Sequence, residues 1–241
     1  MDEGREFTGV DLTGARFRMV DLSGAMLRSV ALAGAEIDGE ADDLAGLTIN
    51  GVDVMPLVLA ELERRQPARV LLRSDDPADL RAAWDEVERG WAGLVAMLAD
   101  LPAGSDTVSV EGEWSFRQTT RHLVFVTDAW LGQVLGQRPR FHPWGLAFTD
   151  MGEFVPEGTD LGLDDDADPP LAELLEVRAG RMQLVRDLLA DADAAVLATE
   201  IPPPPWAGDP VSTLRCLRVV LREECEHQRF AGRDLARVVL R

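Results

Sequence analysis

Residues 211–239, VSTLRCLRVVLREECEHQRFAGRDLARVV, carry a continuous helical pattern. Leu217, Val220, Leu221, Ala231, Leu235 and Val238 recur at the three- and four-residue spacing that lines one face of an α-helix. Ser212 or Thr213 suits the start of that helix. Glu223 and His227 interrupt the stripe with polar groups. Four residues apart on a helix is about 40° around the axis, so the two project as neighbours. A buried carboxylate is costly unless it is paired or bound to a metal, so its position calls for a partner.

Working upstream, three further helical patterns occupy approximately residues 77–99, 115–136 and 170–191. Asp76 before Pro77 and Ser115 before Phe116 suit the first two starts. PLVLAELERR at 56–65 reads as a short connecting helix with proline in its first turn. Four helices of about 20 residues argue for a bundle. The connections are long, notably residues 137–169 with Pro139, Pro143, Pro156, Pro169 and the acidic run Asp164, Asp165 and Asp166. Loops of that length in a compact domain often carry function.

In the second of these helices His122 lies on a largely apolar face with Phe125, Val126 and Ala129. It is a candidate third ligand beside Glu223 and His227, since zinc is commonly held by imidazole and carboxylate with one position left open. Spacing alone leaves other readings: Glu223 paired with an arginine of another helix, His227 as a satisfied core histidine, His122 at the bundle edge. Asp128, about 120° around from His122, is read as orienting an arginine or capping a loop. His142, between Phe141 and Pro143, is read as a structural loop residue, with a place at the pocket mouth as the alternative. Glu224 and Glu226 are read as solvated or paired, Arg229 and Arg233 as candidates to hold an anionic substrate, and Trp114 and Trp206 as candidate pocket walls.

The N-terminal part follows another period. Phe7, Leu12, Phe17, Leu22, Leu27, Leu32 and Ile37 recur every five residues, and Val10, Ala15, Val20, Ala25, Val30 and Ala35 alternate two positions before the later centres. Neither helix nor strand fits that period, whereas a stacked solenoid does. The pattern resembles the pentapeptide-repeat family, which implies a right-handed quadrilateral β-helix with large residues inside and about two coils here. Some longer members of that family mimic DNA and bind topoisomerases; two coils offer little surface for this, and a folding or docking cap is the plainer role. Leu44, Leu47, Ile49, Val52 and Val54 suggest one last irregular coil ending in Asn50-Gly51. An isolated two-coil solenoid exposes an apolar end, so that end is expected to pack on the bundle, on a second subunit as a homodimer, or on a protein partner.

Composition narrows the function classes. The 241 residues include 43 acidic against 24 basic side chains, a formal net charge of -19 that works against a phosphate backbone as partner. No nucleic acid is therefore expected. No stretch approaches the roughly 18 apolar residues of a membrane span, and MDEGREFTGV lacks the basic and apolar regions of a secretory signal, so the expectation is a cytoplasmic protein away from membranes. Cys216 and Cys225, roughly 13 Å apart by helical rise, are read as reduced core thiols.

The segments WSFRQT (114–119), RHL (121–123), TDAW (127–130) and EECEHQR (223–229) together resemble the DinB-like superfamily. The resemblance implies a four-helix bundle that binds a divalent metal through a histidine of the second helix and an i, i+4 pair of the last. Many members have histidine at both positions of that pair, where this chain has Glu223 and His227. The mycothiol-dependent maleylpyruvate isomerase branch is similar in using His, Glu and His in this order. Carried over, His122, Glu223 and His227 become metal ligands, with zinc the expected ion. The implied chemistry is a transferase or isomerase reaction in which the metal activates a low-molecular-weight thiol as co-substrate against a small-molecule substrate. No catalytic or thiol-binding residue follows from the motifs. The competing reading is a non-catalytic metal-binding or protein-interaction module, with the pentapeptide segment serving assembly. The expected organisation is a mainly α protein: a β-solenoid over 1–55, a connecting helix and linker over 56–74, and the bundle over 75–241.

Overall fold

In the computed structural model the five-residue repeat and the helical remainder are separate compact units, dividing between Leu44 and Ala45. The structure describes residues 6–39, 41–132, 141–148, 151, 155, 159–202, 204, 206 and 209–239. The expected solenoid at residues 1–5 and 40, part of the 137–169 loop, and the continuation of the second helical pattern to residue 136 fall partly outside them.

The ten-residue superperiod of the N-terminal unit reappears in its backbone. Ala15, Ala25 and Ala35 donate to the carbonyls of Leu12, Leu22 and Leu32 at 2.9, 2.9 and 3.0 Å. Each turn has glycine at its third position, Gly14, Gly24 and Gly34, with φ of 74°, 73° and 75°, the conformation that a type II turn requires there. Asp11 and Asp21 reinforce two of them by accepting from the amides of Thr13 and Ser23.

The described residues 6–39 form no strand, however, and the repeat centres are not interior. Phe7 is 70% exposed and Leu27 59%. The expectation that large residues fill a solenoid interior is therefore corrected. A coil buries its centres and pairs its backbone only between neighbouring coils, and about two coils leave every centre without one on at least one side.

The irregular coil expected up to Asn50-Gly51 is instead a β-hairpin. Strands β1 (Thr48–Ile49) and β2 (Val52–Asp53) pair antiparallel with Ile49 opposite Val52. Asn50 and Gly51 both have positive φ, 52° and 80°, which makes the two-residue loop that best matches strand twist.

The remainder is mainly helical. Helix α1 (Met55–Arg65) and the single turn α2 (Ala68–Leu71) lead into α3 (Pro77–Ala99). Asp76 caps α3 by accepting from the Ala78 amide at 2.8 Å. Helix α4 (Phe116–Leu131) begins in a capping box, Ser115 and Gln118 each accepting the other's backbone amide. Helix α5 (Leu171–Asp191) has no side-chain cap. The short α6 (Ala194–Ala198) leads to strand β3 (Glu200–Ile201), which pairs with β4 (Val211–Ser212). That pairing delays the last helix, α7 (Thr213–Val239), by two residues from its expected start.

Helix α4 packs on both α5 and α7, and α3 packs on the same two. The core between them includes Leu80, Trp84 and Val87 of α3, Leu123 and Phe125 of α4, Val185 and Leu189 of α5, and Leu217, Val220 and Leu221 of α7. The segment expected as a linker is fastened to α7 instead of hanging free. Gln66 donates to the Cys225 carbonyl, Arg69 pairs with Glu226 at 2.7 Å, and Arg218 donates to the Leu72 carbonyl.

Two glycines set how closely the helices approach. A Cβ on Gly90 would lie 2.2 Å from the amide nitrogen of Gln228, which donates to the Val87 carbonyl and so joins α7 to α3. A Cβ on Gly180 meets nothing within 4 Å. Gly180→Ala is expected to stabilise the protein by about 0.5–1 kcal/mol through lower unfolded-state entropy, whereas Gly90→Ala should lose about 1–2 kcal/mol as the Gln228 bond breaks. Urea denaturation of both variants checks the contrast in sign.

Cys216 and Cys225 are free and buried. Burial pushes their thiols up to about 11 and about 12, so both remain protonated core groups near neutral pH. Among the described residues no helix is long and apolar enough to cross a membrane.

Candidate metal centre

The two helices that face each other across the core, α4 and α7, bring the three candidate ligands together. One ligand atom from each of His122, Glu223 and His227 lies within 4.8 Å of the other two. Glu223 Oε2 stands 3.4 Å from His227 Nε2 and 3.7 Å from His122 Nε2, and the two imidazole centroids are 4.8 Å apart. The carboxylate thus sits between two rings.

The other nitrogen of His122 decides what the first can do. Nδ1 lies 2.9 Å from the Leu146 carbonyl oxygen. A carbonyl only accepts, so Nδ1 carries the proton of a neutral ring and Nε2 presents a lone pair toward Glu223. Burial pushes His122 below the ordinary imidazole range, outweighing the neighbouring Glu223 carboxylate. Burial would raise Glu223, but the imidazoles of His122 and His227 outweigh it and hold the carboxyl well below its usual range. With Nδ1 turned to the Leu146 carbonyl, Nε2 of His122 and Oε2 of Glu223 stand 3.7 Å apart, beyond direct hydrogen-bond distance and both able to face a shared cation. The donor set of two imidazoles and one carboxylate fits a divalent metal, and a histidine whose second nitrogen donates to a carbonyl is the usual supporting arrangement.

Aromatic rings flank the two histidines of the triad. The Trp114 ring is 4.7 Å from His122 and 6.0 Å from His227, nearly parallel to the latter, and Phe125 lies 6.0 Å from His122 on another side. Trp114 follows a turn in which Glu111 and Gly112 both take positive φ, 57° and 81°. It therefore meets the triad, as a candidate wall should. Trp206 stacks instead on Phe125 and Phe141, at 5.7 and 6.4 Å.

The remaining candidates resolve into supports. Asp128 takes a two-point ion pair from Arg181 and accepts the His142 amide at 2.9 Å, so it both orients an arginine and anchors a loop. His142 accepts the Trp144 amide through Nδ1. Glu226 is paired with Arg69 and Arg229. Arg229 and Arg233, expected as anion holders, engage Glu226 and Asp234 and lie over the Phe230 ring at 4.3 and 5.3 Å.

One expectation about burial moves by a residue. Glu224 is the fully buried carboxylate of α7, paired with buried Arg178 of α5 at 2.5 Å, while the Glu223 side chain is 24% exposed. Leu217, Val220, Leu221 and Glu224 continue one three-four spacing, which puts Glu224 at the centre of the stripe and Glu223 at its edge.

Sequence reasoning did not single out Leu146 or Arg121. Leu146 acts through a backbone carbonyl, which no residue type announces. Arg121 sits beside His122 and is buried, donating to the carbonyls of Trp144 and Asp164 at 2.9 and 2.6 Å.

Comparison with protein-family models matches residues 86–231 to the DinB superfamily and residues 6–39 to pentapeptide repeats in eight copies. None of the curated proteins and none of the solved structures matches the chain.

Proposed function

Because the chain belongs to the DinB superfamily, we propose that it is a divalent-metal-dependent enzyme whose ion, zinc by preference of the donor set, is held by His122, Glu223 and His227. The observation that carries this reading is the meeting of one ligand atom each from His122, Glu223 and His227 within 4.8 Å, with the second nitrogen of His122 held by the Leu146 carbonyl. The reading includes a four-helix bundle over residues 75–241 formed by α3, α4, α5 and α7, preceded by a connecting segment over 56–74.

The chemistry we propose is transfer to, or isomerisation of, a small electrophilic substrate with a low-molecular-weight thiol of the mycothiol kind as co-substrate. A divalent ion held by two neutral imidazoles and one carboxylate keeps net positive charge and lowers the pKa of a thiol or water at its open position. The chain's own groups prepare that site. Leu146 holds His122 in the liganding form, Glu223 stays ionised, and Trp114 with Phe125 packs against the His122 ring and shields it from water. The zinc-loaded protein is expected to consume members of a panel of electrophiles only when a low-molecular-weight thiol is present. Equal rates with and without thiol would remove the thiol from the mechanism.

A second reading is favoured by the N-terminal unit. Its exposed row of Phe7, Phe17, Leu22 and Leu27 serves association, by stacking on a second copy or on a partner protein that completes the coil. In this reading the helical part is a metal-binding module without turnover. Size-exclusion chromatography with light scattering should then give a dimer for the full chain and a monomer after deletion of residues 1–44; monomers in both cases would count against self-association.

A further inference from the structure

The segment over residues 141–148 is hydrogen-bonded to the triad through the Leu146 carbonyl, and that contact is held from several directions. Leu146 uses both backbone groups on one turn of α4: its amide donates to the Arg121 carbonyl at 3.2 Å and its carbonyl accepts from His122 Nδ1 at 2.9 Å. The Arg121 side chain, only 5% of the residue being exposed, reaches back over the same segment. Its Nε donates to the Trp144 carbonyl at 2.9 Å, Nη2 to the Asp164 carbonyl at 2.6 Å and Nη1 to the Asp165 carbonyl at 3.4 Å. The Asp164 amide donates to the Pro143 carbonyl at 2.8 Å, so the two stretches under the guanidinium are also bonded to each other. At the other end the His142 amide is fixed by Asp128, itself held by Arg181.

A buried guanidinium that spends its donors on carbonyls is an expensive way to fasten a loop. Arg has the planar fork that can span three carbonyls at once, which a lysine ammonium on a flexible stem does not. What the clamp fixes is the height and direction of the Leu146 carbonyl, and that carbonyl determines which nitrogen of His122 is bare.

We propose that Arg121 is a positioning residue for the His122, Glu223 and His227 centre: by clamping residues 144 and 164–165 onto α4 it presents the Leu146 carbonyl to His122 and keeps Nε2 free for a metal. The proposal rests on the metal-centre reading for its consequence, but its structural step exists in the metal-free protein. Supporting contacts to ligand histidines commonly alter metal affinity 10- to 100-fold.

The test uses the full chain with Arg121→Met and Arg121→Lys, and Arg117→Met as a control that removes a guanidinium of the same helix which pairs with Asp106 and Asp168 instead of the carbonyls of residues 144, 164 and 165. Long-range proton–nitrogen NMR of the metal-free proteins reads the His122 ring directly. Parent and Arg117→Met should show the proton on Nδ1, and Arg121→Met should show it redistributed toward Nε2. Zinc competition with a chromophoric chelator should weaken about 10- to 100-fold in Arg121→Met, with Arg121→Lys intermediate. An unchanged ring form together with unchanged zinc affinity in Arg121→Met would overturn the proposal. If Arg121→Met does not fold, Arg121→Lys decides by the same two readouts. If the parent itself binds no zinc, the metal-centre reading fails while the NMR result still decides the role of Arg121.

Discussion

Glu224→Ala is expected to destabilise the protein by about 3–5 kcal/mol, the largest stability effect of any single substitution considered. The carboxylate is fully buried and its partner Arg178 is only 4% exposed. Removing one member leaves a guanidinium in the core with its charge uncompensated. The Arg178 guanidinium also lies 5.7 Å over the Trp91 ring, which softens the loss without supplying an anion. The pair is already imperfect, since Arg178 Nη1 and Glu224 Oε1 have no hydrogen-bond partner among the described residues. Replacing both residues with apolar ones, Arg178→Met with Glu224→Leu, should therefore recover most of the loss, because well-packed apolar substitutes often equal a buried ion pair. Urea denaturation with an unchanged m-value measures both. A double variant as unstable as the single one would show that the pair contributes more than mutual neutralisation.

The second large effect concerns ligand-dependent stability. Saturating zinc at 100 times its dissociation constant should stabilise the parent by about 2.7 kcal/mol, by mass action on the folded state. For a chain of this size that is roughly a 5–10 °C rise in melting temperature. Glu223→Ala and His227→Ala should lose nearly the whole rise, because each leaves two ligands on different helices. Glu226→Ala is the control: it lies one residue before His227 but pairs with Arg69 and Arg229, away from the triad. It should keep the rise. Differential scanning calorimetry with and without zinc reads all four proteins, and an equal zinc-induced shift in every variant would remove these residues from the site.

The sequence was informative wherever structure is local. Asp76 and Ser115 mark helix starts because a cap needs only its own next three residues, and both caps form as expected. Glu223 and His227 are legible as neighbours because four residues is one helical turn, and the distant His122 joins them across the core. The ten-residue alternation of Val and Ala reappears as turns at Gly14, Gly24 and Gly34.

What was not legible depends on partners far along the chain. Whether Glu223 or Glu224 faces the core is a rotation of about 100°, and Arg178 on α5 satisfies only the second. The Leu146 carbonyl has no sequence signature, and its place depends on Arg121, Trp144 and Asp164 meeting over a long connection. Asn50-Gly51 carried a strong hairpin signal, but reading it as the end of a solenoid coil concealed the short strands on either side. The interior of the solenoid was expected from spacing alone, although burial there is a property of stacked coils and not of one repeat.

The most direct test is X-ray absorption spectroscopy at the zinc edge on the protein as purified, with metal content measured on the same sample. The account expects about one zinc per chain in a shell of nitrogen and oxygen donors, at the roughly 2.0–2.2 Å typical of imidazole and carboxylate, with imidazole back-scattering from two histidines. Sulfur donors at about 2.3 Å, or absence of bound metal after zinc loading and desalting, would contradict it.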